Sequence, residues 1–574
     1  MASIPIRQRI RSAIGRLVRR RLIRSKNRFL DNAKHRCEAV QATTLSRILK
    51  LNHDSDFSRQ HGLKATLSAK EFQQQFDVSD YETFRPAIEQ MVQGHHQALL
   101  GTANQLMMFA LTSGTTSQAK QIPITQRFVK DYRRGWQHWG ISVHENYPAL
   151  KLLKMVQLNS SHQIFNTPTG IPCGNISGLV TAMQSPIIRK LYTIPAQVTL
   201  VDDPTQRRIL QARYAIEDPW AGLFVTANPS SLISLLNTAD ENAQAIIQDI
   251  ADGTISCDAL PASVRKTLAK GMKPNPQRAA EVQQILEQHS TLKPDLLWPN
   301  MCLLGVWTGG SVAAYLPELQ RRFGNLPIRD HGLHASEGRM TIPIHDNSSA
   351  GILDIESHFF EFIPQPDLSG GEPEILRAHQ LEEGCCYKIL LTTSSGLYRY
   401  NIHDVVKCTG YYGTTPLLEF QHKAAHISSI TGEKITESQV VAAVTQAFTV
   451  LQYDQQMSAS VFTLTPSWND PPAYQLFVSH QLSQQQLQDL ANATEHQLAK
   501  HNCEYDDKRR SGRLGPITCH HLANQHWKQF ADCRLKQSGG SQEQYKHPFL
   551  LPDPKFERRF RQDAGVTELN QSDS

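Results

Sequence analysis

The 574-residue chain contains no run approaching eighteen uninterrupted apolar residues, so a membrane-spanning helix is not expected. Paired C-x-x-C spacing is missing too. The ten cysteines are too sparse for a disulfide scaffold, and Cys385 and Cys386 are sequence neighbours, which points to reduced thiols in a cytoplasmic protein. Zinc spacings are also absent: Cys519, His520, His521 and His526 do not form one, nor do His331 and His334, so no metal is expected at those positions. Arginines interrupt every apolar stretch near the start, which argues against a secretory signal. No internal repeat is visible. With 40% apolar and 20% charged residues, and glycine and proline near average usage, the composition is that of a soluble globular protein.

At 64.6 kDa the chain is too long for a single core, and a large domain with at least one smaller one is expected. The net charge of +6 is unevenly spread: the first fifty residues carry fourteen Lys/Arg against Asp31 and Glu38, leaving the remainder acidic. In that segment Ile6, Ile10, Ile14, Leu17, Val18 and Leu22 recur at helical spacing with arginines between them. An interfacial helix or an organelle transit peptide shows this pattern, and so does a solvated basic helix capping the large domain. The cap is the favoured reading, with membrane-surface contact as the alternative.

Residues 25–100 read as helices, with "VSDYETFRPAIEQM" (78–91) passing from loop into helix. Residues 106–125 read as strand, turn and strand. The stretch 205–295 is again helical in character and suggests a helical layer or insertion, after which "MCLLGVWTGG" and "HFFEFIP" return to buried-strand composition. Helices alternating with apolar strands imply an α/β body. A boundary falls near 417–426. Beyond it the expected order is a helix at 437–451, strands at 458–465 and 473–479, a helix opened by the capping box Ser483/Gln486, the strand "GPITCHH" and a last helix through Trp527. On that helix Leu487, Leu490, Thr494 and Leu498 share one face. This order suits a compact α+β domain.

The stretch "LTSGTTSQAKQIPIT" (111–125) places hydroxyls at Thr112, Ser113, Thr115, Thr116 and Ser117 around Gly114, followed by Lys120. A plain loop is one reading and an anion cradle the other. The spacing of Gly114 and Lys120 matches a Walker A loop, but Ala119 replaces its second glycine, Gln121 its Mg²⁺-binding hydroxyl, and "QIPIT" reads as strand where a helix is required. A P-loop NTPase is therefore not expected. Backbone N–H groups, the hydroxyls and the Lys120 ammonium could still surround a polyphosphate.

The stretch also resembles the phosphate loop T-S-G-T-T-G-x-P-K-G of the acyl-adenylate-forming superfamily, matching at residues 112–116 and Lys120 and departing at Ser117, Ala119 and Gln121. Three further stations resemble the same superfamily in the same order. "LHASEG" (333–338) is similar to the aromatic-x-x-[ST]-E station, which implies that Glu337 helps hold Mg²⁺ beside Ser336, with Leu333 in place of the adenine-flanking aromatic. A lone carboxylate suffices for Mg²⁺ when phosphate oxygens and waters complete the shell. "SSGLYRYNIHDVV" (394–406) is similar to the Y-R-x-G-D station, which assigns the ribose hydroxyls to Asp404 and sets His403 where the glycine stands. "SGGSQEQYKHP" (538–548) resembles the late lysine station, with Lys546 as the adenylation lysine.

"WTGGSVAAYLPELQ", "HASEGRMTIP", "FFEFIP", "GLYRY" and "ISSITGEKITESQV" narrow the resemblance to the auxin-responsive Gretchen Hagen three family of acyl acid amido synthetases, in its bacterial form, from about residue 45 to about 550. That resemblance implies a large N-terminal adenylate-forming domain (1–420) with mixed sheets and helical layers and a basic helical start (1–50). A hinge (421–427) at Gln421, His422 and Lys423 and a small α+β domain (428–574) follow. It further implies an ATP- and Mg²⁺-dependent ligase that joins a carboxylic acid to an amine such as an amino acid, with Ser113, Gly114, Thr115, Thr116, Ser336 and Asp404 on the nucleotide, Glu337 on the metal, and Lys120 and Lys546 in catalysis. Nucleic acid is not an expected partner. Two alternatives stay open: a ligase using coenzyme A as acceptor, and a catalytically weak nucleotide-binding or scaffold protein, motivated by Ser117, Leu333 and His403. Trp136, Trp139, Phe224 and Trp307 are equally candidates for an acyl pocket and for core.

Overall fold

The computed structural model describes residues 8–9, 12–13, 15–112, 120–158, 161–184, 186–201, 203–256, 260, 262–365, 374–423, 427–428, 430–431, 433, 435–453, 461–467, 471–538 and 545–551. Helix α1 (Arg16–His35) opens the described body, followed by α2 (Cys37–Asn52). Strands β1 (Leu106–Thr112) and β2 (Lys120–Thr125) form the expected antiparallel hairpin, closing at Thr112 opposite Lys120. Thr125 ends that hairpin and caps α3 (Gln126–Asn146), its hydroxyl accepting from the Phe128 amide at 3.2 Å, so strand and helix are coupled without a loop. Helix α1 lies on α3, where Phe29 stacks on His138 at 5.1 Å and the Ser25 hydroxyl sits 3.1 Å from its Nε2.

A parallel sheet follows in the order β3 (Lys154–Gln157), β4 (Ala221–Val225), β5 (Leu303–Val306) and β6 (Ile328–Asp330). Every residue of β4 and β5 is buried, as helices covering both faces of a parallel sheet require. Strand β4 corrects the reading of 205–295 as one helical layer. A five-residue apolar run cannot be told from a buried helical turn by periodicity, and only its pairing with β3 and β5 settles its form.

Strands β7 (His334–Ala335) and β8 (Gly338–Arg339) make a minimal hairpin. A seven-stranded antiparallel sheet then includes β9 (Phe359–Gln365), β10 (Cys386–Thr392), β11 (Tyr400–Tyr412) and β12 (Thr415–Lys423), paired in the spatial order β12, β11, β10, β9. Gln421, His422 and Lys423 of the expected hinge are the last residues of β12, while 424–426 lie outside the described residues.

The C-terminal part has the expected order: α4 (Glu437–Val450), β13 (Phe462–Ser467), β14 (Ala473–Val478), α5 (Gln484–His501), β15 (Thr518–His521) and α6 (Asn524–Ser538). The capping box is present, with Ser483 and Gln486 exchanging hydrogen bonds at 3.0 and 3.3 Å. Leu487, Leu490, Thr494 and Leu498 are all buried. One apolar core surrounds the seven-stranded sheet. A second runs from the parallel sheet through Val312 and Tyr315 into Val440, Val444 and Phe549.

Burial holds several histidines neutral: His138 and His358 are pushed down to about 3 and His547 to about 4, while His331 and His334 fall well below the usual value. Each binds a proton more readily unfolded than folded, so its contribution to stability is complete above about pH 6.5 and fades as pH falls toward 3–4. Asp330 and Asp354, raised to about 6 by burial, act in the opposite sense between about pH 4 and 6. The histidines outnumber them. Stability therefore drops on acidification below pH ~6.5, and His358→Gln flattens the slope by about 1.4 kcal/mol per pH unit. Urea midpoints between pH ~5 and ~7 check this; an unchanged slope in the variant removes His358 from the account.

Candidate active site

The β7–β8 hairpin has only Ser336 and Glu337 as its turn, because Ala335 pairs directly with Gly338. A Cβ at Gly338 would come within 2.7 Å of the His358 ring, so a side chain there would push the hairpin off its support. The turn thus presents Glu337 on a rigid stub. Glu337 is buried, and burial raises its carboxyl above the usual carboxylate range, opposed by the nearby Lys423 and Lys120 ammonium groups and reinforced by Asp404.

Asp404 and Lys423 are direct partners across β11 and β12, and the Lys423 ammonium donates to Asp404 Oδ1 at 2.7 Å and to the Ile402 carbonyl at 3.3 Å. Burial alone would lower the Lys423 pKa, but Asp404 and then Glu337 reverse the sign and hold it above the usual lysine value. Lys423 was read from the sequence only as part of a hinge. A signal was available: counting outward from the two-residue closure Tyr412–Thr415 reaches Asp404 opposite Lys423, because the offsets at the two bulges in between cancel.

His403 precedes Asp404 with φ +60°, a left-handed conformation that a glycine would adopt without cost. Its amide donates to the Asn401 side chain at 2.8 Å. The departure at this station therefore keeps the backbone path and adds strain. The WTGG stretch shows the same logic. Gly310 has φ +65°, and a Cβ there would meet the Phe420 ring at 2.7 Å, so the loop after Trp307 can pass under β12 only as glycine.

Lys120 opens β2 with its ammonium 5.4 Å from the centre of the Tyr81 ring, and Tyr81 OH accepts from the Gln121 amide at 3.0 Å. Ser113, Gly114, Thr115 and Thr116 lie outside the described residues, as do Ser117 and Ala119.

Lys546 arrives from the other end of the chain. Its segment is pinned by Asn228, which donates to the Tyr545 carbonyl at 3.2 Å, and by Thr463, whose hydroxyl donates to the Pro548 carbonyl at 2.8 Å. The ammonium stands 4.5 Å from the centre of the Trp307 ring. Lys546 is an exposed residue. Surrounding protein lowers its pKa, Lys423 lowers it further, and Asp404 and Glu437 partly offset both. Glu337, Asp404, Lys120 and Lys546 thus converge electrostatically on one cleft around Lys423.

Beside these groups is a cluster of packed aromatic side chains, termed the aromatic chamber below. Trp307 packs on His334 at 4.8 Å and donates to the Gly332 carbonyl at 2.9 Å, while Trp136 lies 4.4 Å from His331. Trp139 and Phe224 are core: the first donates to the Asp330 carbonyl, and the second is packed on Trp298. The chamber also contains a residue that sequence reasoning missed. Arg339 is fully buried with its guanidinium 4.1 Å from the Trp136 ring centre, and it donates to the His331 carbonyl at 2.8 Å. Its Nε and Nη1 have no hydrogen-bond partner among the described residues.

Sequence models of the GH3 family match three successive stretches, the N-terminal domain over residues 26–328, the central domain over 351–423 and the C-terminal domain over 438–555. The chain is 26% identical over 552 residues to jasmonoyl-L-amino acid synthetase GH3.5 of Oryza sativa subsp. japonica, spanning 89% of this chain and 92% of that one. It is 23% identical over 543 residues to indole-3-acetic acid-amido synthetase GH3.3 of Arabidopsis thaliana, spanning 91% and 90%. Two structures of GH3.15 acyl acid amido synthetase, one in complex with 2,4-DB, share the fold with TM-scores of 0.80 at 20% and 19% identity, over 94% of this chain and 95% of theirs.

The His403 geometry generates a stability test. His403→Gly is neutral or stabilising by up to about 1 kcal/mol, whereas His403→Val, β-branched in a left-handed position, costs about 1–2 kcal/mol. Thermal melts of the two variants check this, and equal effects would remove the strain argument.

Proposed function

The chain belongs to the GH3 family, and from that premise we propose that it is an adenylate-forming ligase, an acyl acid amido synthetase. It activates a carboxylic acid with ATP and passes the acyl group to an amine such as an amino acid. The relatives named above act as amido synthetases. The observation that carries the reading to these residues is the convergence of Lys120, Glu337, Asp404, Lys423 and Lys546 from four parts of the chain on one cleft.

In the first step a substrate carboxylate oxygen attacks the α-phosphorus of ATP and pyrophosphate leaves. Anion meets anion, so the barrier depends on preorganised positive charge. Lys120, with Ser113, Gly114, Thr115 and Thr116, gathers the outgoing phosphates. Asp404 takes the ribose hydroxyls beside Ser336, and Lys423 holds that carboxylate in place through its 2.7 Å hydrogen bond. Glu337, a hard oxygen donor on a rigid turn, fits a Mg²⁺ ion that would share the phosphate charge. Lys546 offsets charge on the reacting carboxylate and α-phosphoryl oxygens, and holding the reactants in line supplies on the order of 7–11 kcal/mol. In the second step the amine nitrogen attacks the acyl carbon, loses a proton, and AMP leaves.

We assign the acid to the aromatic chamber, whose wall Trp307 also supports Lys546. Movement of the small C-terminal domain about the chain that follows β12, rather than about Gln421–Lys423, which are held in that strand, would withdraw Lys546 between the steps.

Lys546→Ala should lower acid-dependent ATP–pyrophosphate exchange by roughly a hundredfold or more while sparing amide formation from preformed acyl-AMP. Equal losses in both refute the division of labour. Lys423→Met should raise KM for ATP about tenfold with a smaller change in kcat, the signature of lost substrate binding; an unchanged KM removes Lys423 from the nucleotide site. Mass spectrometry of products formed with coenzyme A and amino acids in competition identifies the acceptor, and a thioester product overturns the amide assignment.

A further inference from the structure

The outward face of α1 has no role in the chemistry above. Leu17, Arg20, Arg21, Arg24 and Arg28 fall at spacings of three, four, seven and eleven residues, which places them on one helix face, and all are exposed. None of these arginines has a side-chain hydrogen bond or ion pair among the described residues. On the same turn Leu17 is 75% and Val18 49% exposed, the first of them the most exposed large apolar side chain described. The opposite face is occupied: Phe29 and Ala33 are buried, Ser25 meets His138, and Lys26 pairs with Glu145 at 2.5 Å. The helix is thus anchored along one side and presents a basic strip with an apolar tip on the other. Asp31 is the only acidic residue in its twenty.

We propose that this face of α1 docks the protein onto an anionic lipid surface. Four arginines reach the phosphate plane while Leu17 and Val18 enter the headgroup–acyl boundary, the arrangement of an interfacial amphipathic helix. Charge complementarity alone would also suit a nucleic acid. The exposed Leu17 and Val18 decide against it, because a phosphodiester backbone has no apolar layer to receive them, and the strip has no aromatic side chain on which bases could stack.

The full chain should co-sediment with phosphatidylcholine vesicles that contain phosphatidylglycerol, not with phosphatidylcholine alone, and added salt should release it. Replacing Arg20, Arg21, Arg24 and Arg28 by Gln should weaken binding about fivefold per arginine, with acid-dependent pyrophosphate exchange in solution unchanged. Should that variant misfold by circular dichroism, Leu17→Ser with Val18→Ser decides: vesicle binding falls while retention on heparin is kept. Binding that ignores lipid charge, survives loss of the four arginines, is indifferent to the Leu17 and Val18 changes, or is tighter for duplex DNA or RNA than for anionic vesicles overturns the proposal.

Discussion

Two carboxylates, Glu337 and Asp404, share one cleft because the Lys423 ammonium is tied to one and within electrostatic reach of the other. Asp404 and burial push the Glu337 carboxyl up, and the Lys423 ammonium opposes them. The Asp404–Lys423 contact is set by strand register, the part of a fold least able to drift when one face of a sheet is buried. Lys120 and Lys546 add positive charge beside this pair, and neither forms an ion pair among the described residues. The cleft is held ready for anions by its backbone.

Around this pair, the departures from the superfamily's motifs alter side chains more than geometry. His403 occupies a glycine conformation with help from Asn401, so Asp404 reaches the cleft as the station requires. At Gly310 and Gly338 nearby rings leave no room for a Cβ. Strain is accepted where the backbone path can survive it, and glycine persists where a neighbouring ring forbids anything larger.

Trp307 joins the two halves of the chemistry. One side of its ring meets His334 in the chamber and its surroundings receive Lys546 from the far end of the chain. The buried Arg339 lies against Trp136, with two guanidinium nitrogens that have no hydrogen-bond partner among the described residues. The Tyr315–Phe549 contact at 5.7 Å and the shared core through Val440 and Val444 hold the C-terminal part in place by apolar burial, a non-directional force compatible with movement.

Much of this was legible in order: the β1–β2 hairpin, the capping box at Ser483 and Gln486, and the succession of helices and strands after residue 437 follow from periodicity and local hydrogen bonding, which act over a few residues. The motifs around Glu337, Asp404 and Lys546 were legible as chemistry for a similar reason, since residue type and spacing travel with the chain. Strand β4 was not, because five apolar residues have no period of their own until neighbouring strands supply one. Lys423 was missed because its meaning lies in the residue opposite, two strand-lengths away through a turn. Half-buried Trp136 and Trp307 could not be sorted from core residues such as Trp139 and Phe224, because composition does not show how deeply a ring is packed. By itself the sequence determined which groups are available and in what order they occur along the chain. Only the tertiary structure decided which of them share a cavity, since register, bulges and the return of the last segment bring together residues separated by more than four hundred positions.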